Sequence, residues 1–194
     1  MSGSNYTSHI NIIRKGISIK DHISIEELPS IQSEGGLNCA GNKLFIRVFG
    51  IPQMIVTNLE LSPGQLSITE METPSSLADI NEHEEIHLIQ EVPSGFLLVT
   101  DKRVKLLSHN LEILKDKAFE DDIITSCDFK DGILMISLLE GALLAFRLQD
   151  NAMLELSSTK MTHEIFGVSM TSDASFAVVG MQDAPLYSIV ILRV

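Results

Sequence analysis

The stretch Ile86-His87-Leu88-Ile89, followed by Gly95-Phe96-Leu97-Leu98-Val99 and then by Val104-Lys105-Leu106-Leu107, decides the fold of this chain. It is an apolar stretch, a polar turn, a second apolar stretch and a third short one. The same phrase returns as Ile124 to Phe129, Gly132-Ile133-Leu134-Met135-Ile136 and Ala142-Leu143-Leu144-Ala145-Phe146. It returns again as Ile165 to Met170, Phe176-Ala177-Val178-Val179-Gly180 and Ile189-Val190-Ile191-Leu192. Copies recur every ~40 residues, the period of a four-stranded propeller blade. A lone blade cannot bury both its faces, so the repeat predicts an array, and arrays of this kind are usually binding platforms.

Working outward, the rest of the chain reads as short strands with tight connections. His9-Ile10-Asn11-Ile12-Ile13, Ile17-Ser18-Ile19 and Ile23-Ser24-Ile25 alternate as half-buried strands do. Pro29 with Gly35-Gly36 marks the main internal break. Lys43 to Phe49, Met54 to Thr57 and Gln65 to Thr69 are further strands, with turns at Gly50-Ile51-Pro52 and Pro63-Gly64. The expected fold is all-β, a partial β-propeller of WD40-like blades with four antiparallel strands each. At ~40 residues per blade, the chain holds about four to five.

Composition sets further bounds. The chain has 194 residues, 44% of them hydrophobic, enough for one core, and no Trp. No apolar run approaches the ~20 residues of a membrane helix, and Met1-Ser2-Gly3-Ser4-Asn5 lacks a basic region before an apolar one. An intracellular protein is expected, in which the sequon Asn5-Tyr6-Thr7 is idle. Cys39 and Cys127 lie in or beside apolar runs and read as buried thiols rather than a disulfide framework. Eight scattered methionines read as core filling.

A net charge of -12 argues against direct contact with phosphate backbones, because Lys and Arg supply most non-specific affinity for nucleic acid. The acidic surplus lies in Glu26-Glu27, Glu82 to Glu85 and Glu120-Asp121-Asp122. It reads first as solvated loops between strands. The sharper reading is an acidic face that steers a basic partner.

One segment dissents from the β pattern. Residues 74–92 open with Pro74-Ser75-Ser76, close at Pro93 and place Leu77, Ile80 and His87 at helical spacing. Within them, His83-Glu84-Glu85-Ile86-His87 matches H-E-x-x-H, which on a helix would set His83 and His87 on one face for zinc, with Glu84 as general base. A catalytic zinc needs a third protein ligand. Position 93 is proline, and neither Glu112 nor Asp121 stands out as a substitute. If the motif runs into strand, its histidines lie roughly 13 Å apart and share no metal. An accidental match in an acidic turn is therefore the reading adopted, with a zinc hydrolase as the alternative from a different class. No G-x-S-x-G, Walker, G-x-G-x-x-G or C-x-x-C motif occurs. The neighbours Asp21-His22 and His163-Glu164 read as polar strand ends rather than catalytic dyads. No catalytic, cofactor-binding or metal residue is assigned, no cofactor is expected, and no interaction residue is nominated.

The residues also carry a family resemblance. Ile12-Ile13-Arg14-Lys15-Gly16-Ile17-Ser18-Ile19-Lys20-Asp21-His22-Ile23-Ser24-Ile25-Glu26-Glu27-Leu28-Pro29-Ser30-Ile31 resembles the basic-Gly-Ile-x-Ile, acid-His, Ser-Ile-acid, Leu-Pro-x-Ile stretch of the triple β-propeller family. That family comprises the large subunit of UV-damaged DNA-binding protein, the large propeller subunit of splicing factor three-b and the largest subunit of the cleavage and polyadenylation specificity factor. Leu44 to Phe49 with Ile55-Val56, Phe96 to Thr100 with Val104 to Ser108, Glu140 to Phe146 and Ala177 to Met181 continue the resemblance in order. The run Ile19-Lys20-Asp21-His22-Ile23-Ser24-Ile25 is most similar to the damaged-DNA-binding branch. Where the family carries tryptophans, this chain has Gln32-Ser33-Glu34 and Gln182, as a diverged member would.

The resemblance implies a non-enzymatic adaptor of a cullin-4 RING ubiquitin ligase in nuclear DNA repair, with the cytoplasm as a second location. Its implied partners are cullin and substrate receptors, with nucleic acid contacted only indirectly and no membrane. The alternative within the family is a scaffold for splicing or mRNA 3′-end processing. Residues 1–31 would be the closing strands of one propeller and 32–194 the first blades of the next, incomplete without further blades from the same or another chain. The final strand, Ser188 to Val194, is apolar and uncapped, and such an edge invites pairing.

Overall fold

The computed structural model describes residues 9–10, 13–14, 17–18, 23–24, 37–47, 54–62, 65–80, 83–183 and 186–194. They divide into two compact units, Met1–His83 and Glu84–Val194.

In the first unit, β1 (His9–Ile10), β2 (Ile13–Arg14), β3 (Ile17–Ser18) and β4 (Ile23–Ser24) pair antiparallel, β1 with β4 and β2 with β3. The rest of residues 1–31, the Pro29 to Gly36 break and the Asp21-His22 pair lie outside the described residues. A four-stranded antiparallel sheet follows, formed in order by β5 (Leu37–Ala40), β6 (Lys43–Arg47), β7 (Met54–Ser62) and β8 (Gln65–Glu72). Its second strand buries Leu44, Phe45 and Ile46 in succession, so both of its faces are covered. The helical expectation for residues 74–92 fails here. The described residues hold a single 3-10 turn, Ser75–Leu77, closed by the Leu77 and Ala78 amides donating to the carbonyls of Pro74 and Ser75. The apolar Leu77 and Ile80 are buried, and that burial rather than helix periodicity explains their spacing.

The second unit contains three sheets. The first is β9 (Ile86–Val92), β10 (Gly95–Thr100), β11 (Arg103–Leu107) and β12 (Ile113–Ala118). The second is β13 (Ile124–Lys130), β14 (Ile133–Leu138), β15 (Ala142–Gln149) and β16 (Ala152–Lys160). The third is β17 (Glu164–Met170), β18 (Phe176–Asp183) and β19 (Leu186–Arg193). All neighbours are antiparallel meanders. Local turn chemistry sets the register. Asp131-Gly132 and Asp150-Asn151 both sit at positive φ, as two-residue hairpins of the type I′ class require.

Packing follows from the two-residue side-chain period. Along β14, Leu134 and Ile136 join a core with Leu97, Val99, Val104 and Leu106 of the preceding sheet. The alternate residues Ile133 and Met135 join another with Ile165, Ala177, Val179 and Met181 of the following one. A middle strand covered on both faces reads as an unbroken apolar run, and this is why the recurring phrase is so legible. The fourth strands, β12 and β16, are mostly exposed and mix apolar with charged or hydroxyl side chains, so no long apolar run announces them. On the far side of the last sheet, Phe176, Val178, Ile189 and Ile191 are exposed.

Candidate interaction surface

The H-E-x-x-H match does not assemble a metal site. His83 lies in an exposed turn and His87 is the second residue of β9, so the two are not on one helix face. Glu84 is 2% exposed, accepts a hydrogen bond from Thr100 Oγ1 at 2.8 Å and lies 3.5 Å from Arg103 Nε. A carboxylate so engaged ties the segment before β9 to the turn between β10 and β11. His87 Nε2 lies 2.8 Å from the Ile124 carbonyl, joining the innermost strands of two consecutive sheets. Among the described residues, no group of three His, Cys, Asp or Glu side chains is placed to hold a metal. Within the Glu82 to Glu85 run expected as a solvated loop, Glu84 is buried and Glu85 exposed, while Glu82 lies outside the described residues.

Polar side chains of the inner strands lock sheet to sheet. Thr125 Oγ1 donates to the Ile165 carbonyl at 2.7 Å, the Val168 amide donates to Ser126 Oγ at 3.2 Å, and the Met170 amide donates to Asp128 Oδ2 at 2.7 Å. Likewise the Ile124 amide donates to the Asp101 carbonyl at 2.8 Å. The three side-chain bonds join partners 40 to 42 residues apart and so fix the β13 and β17 strands of neighbouring blades against one another.

At one end of this unit the blade junctions leave a recess of about 340 Å³. Its apolar lining includes Ile123, Leu139 and Phe166, which are 37%, 40% and 52% exposed. Glu85, Asp101 and Glu164 line it as well. The loop that leads into β13 brings Glu120, Asp121 and Asp122 beside Ile123, and the Asp122 carboxylate accepts from the Ile123 amide at 2.8 Å. The strand pattern hides these apolar residues. The one available signal is that Ile123-Ile124 and Leu138-Leu139 are apolar doublets at strand ends, where alternation leaves the outer member facing water.

The remaining candidates are structural. His163 and Glu164 fall at the start of β17, with Glu164 on the recess. Cys39 is exposed, correcting the buried-thiol expectation, and Cys127 is half-buried beside the core. Burial, reinforced by the Asp128 carboxylate, pushes the Cys127 thiol up to about 12. Since the unfolded thiol ionises near its ordinary ~8.5, this contribution to stability is full below that pH and is lost as pH rises toward 12. In a native thiol titration at pH 8, Cys39 is expected to react promptly and Cys127 only after denaturant is added. Two equally fast thiols would contradict this placement.

Repeated four-stranded antiparallel sheets, stacked face to face and locked through their inner strands, define a β-propeller architecture. The chain belongs to the RSE1/DDB1/CPSF1 family, matching its second β-propeller over residues 52–194. No curated protein sequence matches it. Among solved structures it is similar to the β-propeller domain of Cps50 (Swd1) from Myceliophteria thermophila, with 12% identity and a TM-score of 0.52 over 76% of this chain and 53% of that one. It is also similar to a putative 6-phosphogluconolactonase from Bacteroides uniformis, with 14% identity and a TM-score of 0.55 over 81% and 52%. The WD40 domain of Toxoplasma gondii coronin gives 11% and 0.55 over 84% and 43%. These identities establish the fold alone, and the chain spans about half the length of those structures.

Proposed function

We propose that this chain is a non-enzymatic interaction scaffold that acts as the adaptor of a cullin-4 RING ubiquitin ligase in DNA damage repair, in the nucleus. The observation that carries the scaffold reading is the match of residues 52–194 to a propeller of the RSE1/DDB1/CPSF1 family. The adaptor branch rests on the similarity of Ile19 to Ile25 to the damaged-DNA-binding subunit. In this reading residues 1–31 close a preceding propeller, 32–194 open the next, and further blades complete it. The uncovered apolar face of the β17-β18-β19 sheet supports the need for those blades. The engagement of Glu84 by Thr100 and Arg103 counts against a zinc hydrolase.

Affinity purification of the tagged gene product from cells, with mass spectrometry of what accompanies it, tests the branch. Cullin and substrate-receptor subunits are the expected result. Spliceosomal or cleavage-factor subunits would transfer the assignment to RNA processing.

A further inference from the structure

We infer that the recess bordered by Ile123, Leu139 and Phe166 docks a protein segment that carries a large apolar side chain flanked by lysine or arginine. The inference deepens the scaffold reading by naming the chemistry of one partner surface. Three observations converge. First, the apolar residues are 37%, 40% and 52% exposed around a recess of about 340 Å³, room for one or two large side chains. Single exposed apolar residues are ordinary, whereas three brought from the loop before β13, the turn after β14 and the start of β17 to one recess make a patch. Second, the recess is built on rigid parts. Ile123 and Leu139 are held by the Leu139 amide donating to the Ile123 carbonyl at 2.8 Å, and Phe166 follows Ile165, which is buried and bound through its carbonyl to Thr125.

Third, the carboxylates that line the recess have no Lys or Arg among the other lining residues. Glu85, Asp101 and Glu164 line it, with Glu120, Asp121 and Asp122 on the adjoining loop. The cations at this end include Arg103 and Lys160, engaged by Glu84 and by Glu140 at 3.5 and 3.4 Å. A basic segment gains Coulomb attraction on approach, and its apolar side chain supplies area to bury. A second copy of this chain, at net charge -12, would bring like charge to the same face.

The test uses the full chain and a fluorescent seven-residue peptide of alternating lysine and leucine, lysine at both ends. Anisotropy is expected to show saturable binding that weakens at least fivefold between 50 and 300 mM salt, as attraction between exposed charges does when ions screen it. Binding should also weaken at least fivefold in both Phe166→Ser and Glu164→Gln, and stay unchanged in Asp150→Asn at the opposite end of the blades. Glu164→Gln alters an exposed group and keeps the test valid if Phe166→Ser unfolds. A peptide with serine for leucine binding equally well would reduce the surface to bulk charge and overturn the proposal. So would absence of binding, or a chain that self-associates through Leu139 by sedimentation. Partners recovered from cells would be unaffected by these failures, so the scaffold reading is judged separately.

Discussion

Gly95→Ala is expected to destabilise the chain by about 3 kcal/mol or more, since a strained φ alone costs ~1–3 kcal/mol. Gly95 follows the Pro93-Ser94 turn at φ +139, a conformation that L side chains rarely adopt. A Cβ there would overlap the carbonyl oxygen of Leu107 and the carbonyl carbon of Ser108, and come within 2.7 Å of the His109 nitrogen. All three are backbone atoms at the end of β11, so no side chain can rotate away. Relief requires moving a strand end whose neighbours Leu106 and Leu107 are fully buried. Gly132→Ala is the control. Its φ is +74, but the nearest atom to a new Cβ, the Leu148 carbonyl oxygen, is 3.7 Å away. Strain without overlap should cost ~1–2 kcal/mol. Urea unfolding of the two variants separates the effects, and equal midpoints would refute the overlap.

Asp116→Ala is expected to cost ~2–3 kcal/mol, below the ~3–5 kcal/mol typical of breaking a fully buried ion pair. Lys105 is fully buried in the middle of β11, and its Nζ lies 3.2 Å from Asp116 Oδ2 on β12. Arg103 Nη1 is 3.9 Å from the same carboxylate, while Arg103 Nε faces Glu84. Removing Asp116 withdraws a countercharge at 3.2 Å from an ammonium that cannot reach bulk water without unpacking the sheet. Asp116 itself is 30% exposed, so solvent screens part of the pair and the loss falls short of the full value. Lys105→Met keeps volume and removes the charge, and should lie within ~1.5 kcal/mol of the parent. The double variant should therefore be more stable than Asp116→Ala alone. A purely additive double-mutant cycle would show that the two groups do not interact.

Legibility tracked how locally each feature is determined. The second strands announce themselves because both faces of β10 and β14 are covered, which leaves Thr100 and Ser137 as their only polar residues. The outer strand β16 holds Leu154 and Leu156 but turns polar after them, since water replaces a neighbour on its free side, and with β12 it lies outside the recurring apolar phrase. Leu77 and Ile80 are three apart, a spacing that suits a helix and that a 3-10 turn beside a strand satisfies equally well. Cys39 occupies a short strand whose burial depends on what lies across it, which its flanking residues do not encode.

Consecutive residues suffice for the all-β class, the ~40-residue blade repeat and the family. The class and the repeat rest on side-chain period and turn chemistry, and the family on particular motif residues in order, all of them written in consecutive residues. Only the tertiary structure decided that Glu84 is sequestered by Thr100 and Arg103, that His87 bridges to the Ile124 carbonyl, and that Ile123, Leu139 and Phe166 share one acidic recess. Those relations join residues roughly 16 to 43 positions apart in the chain, and blade stacking, rather than any local pattern, sets which of them meet.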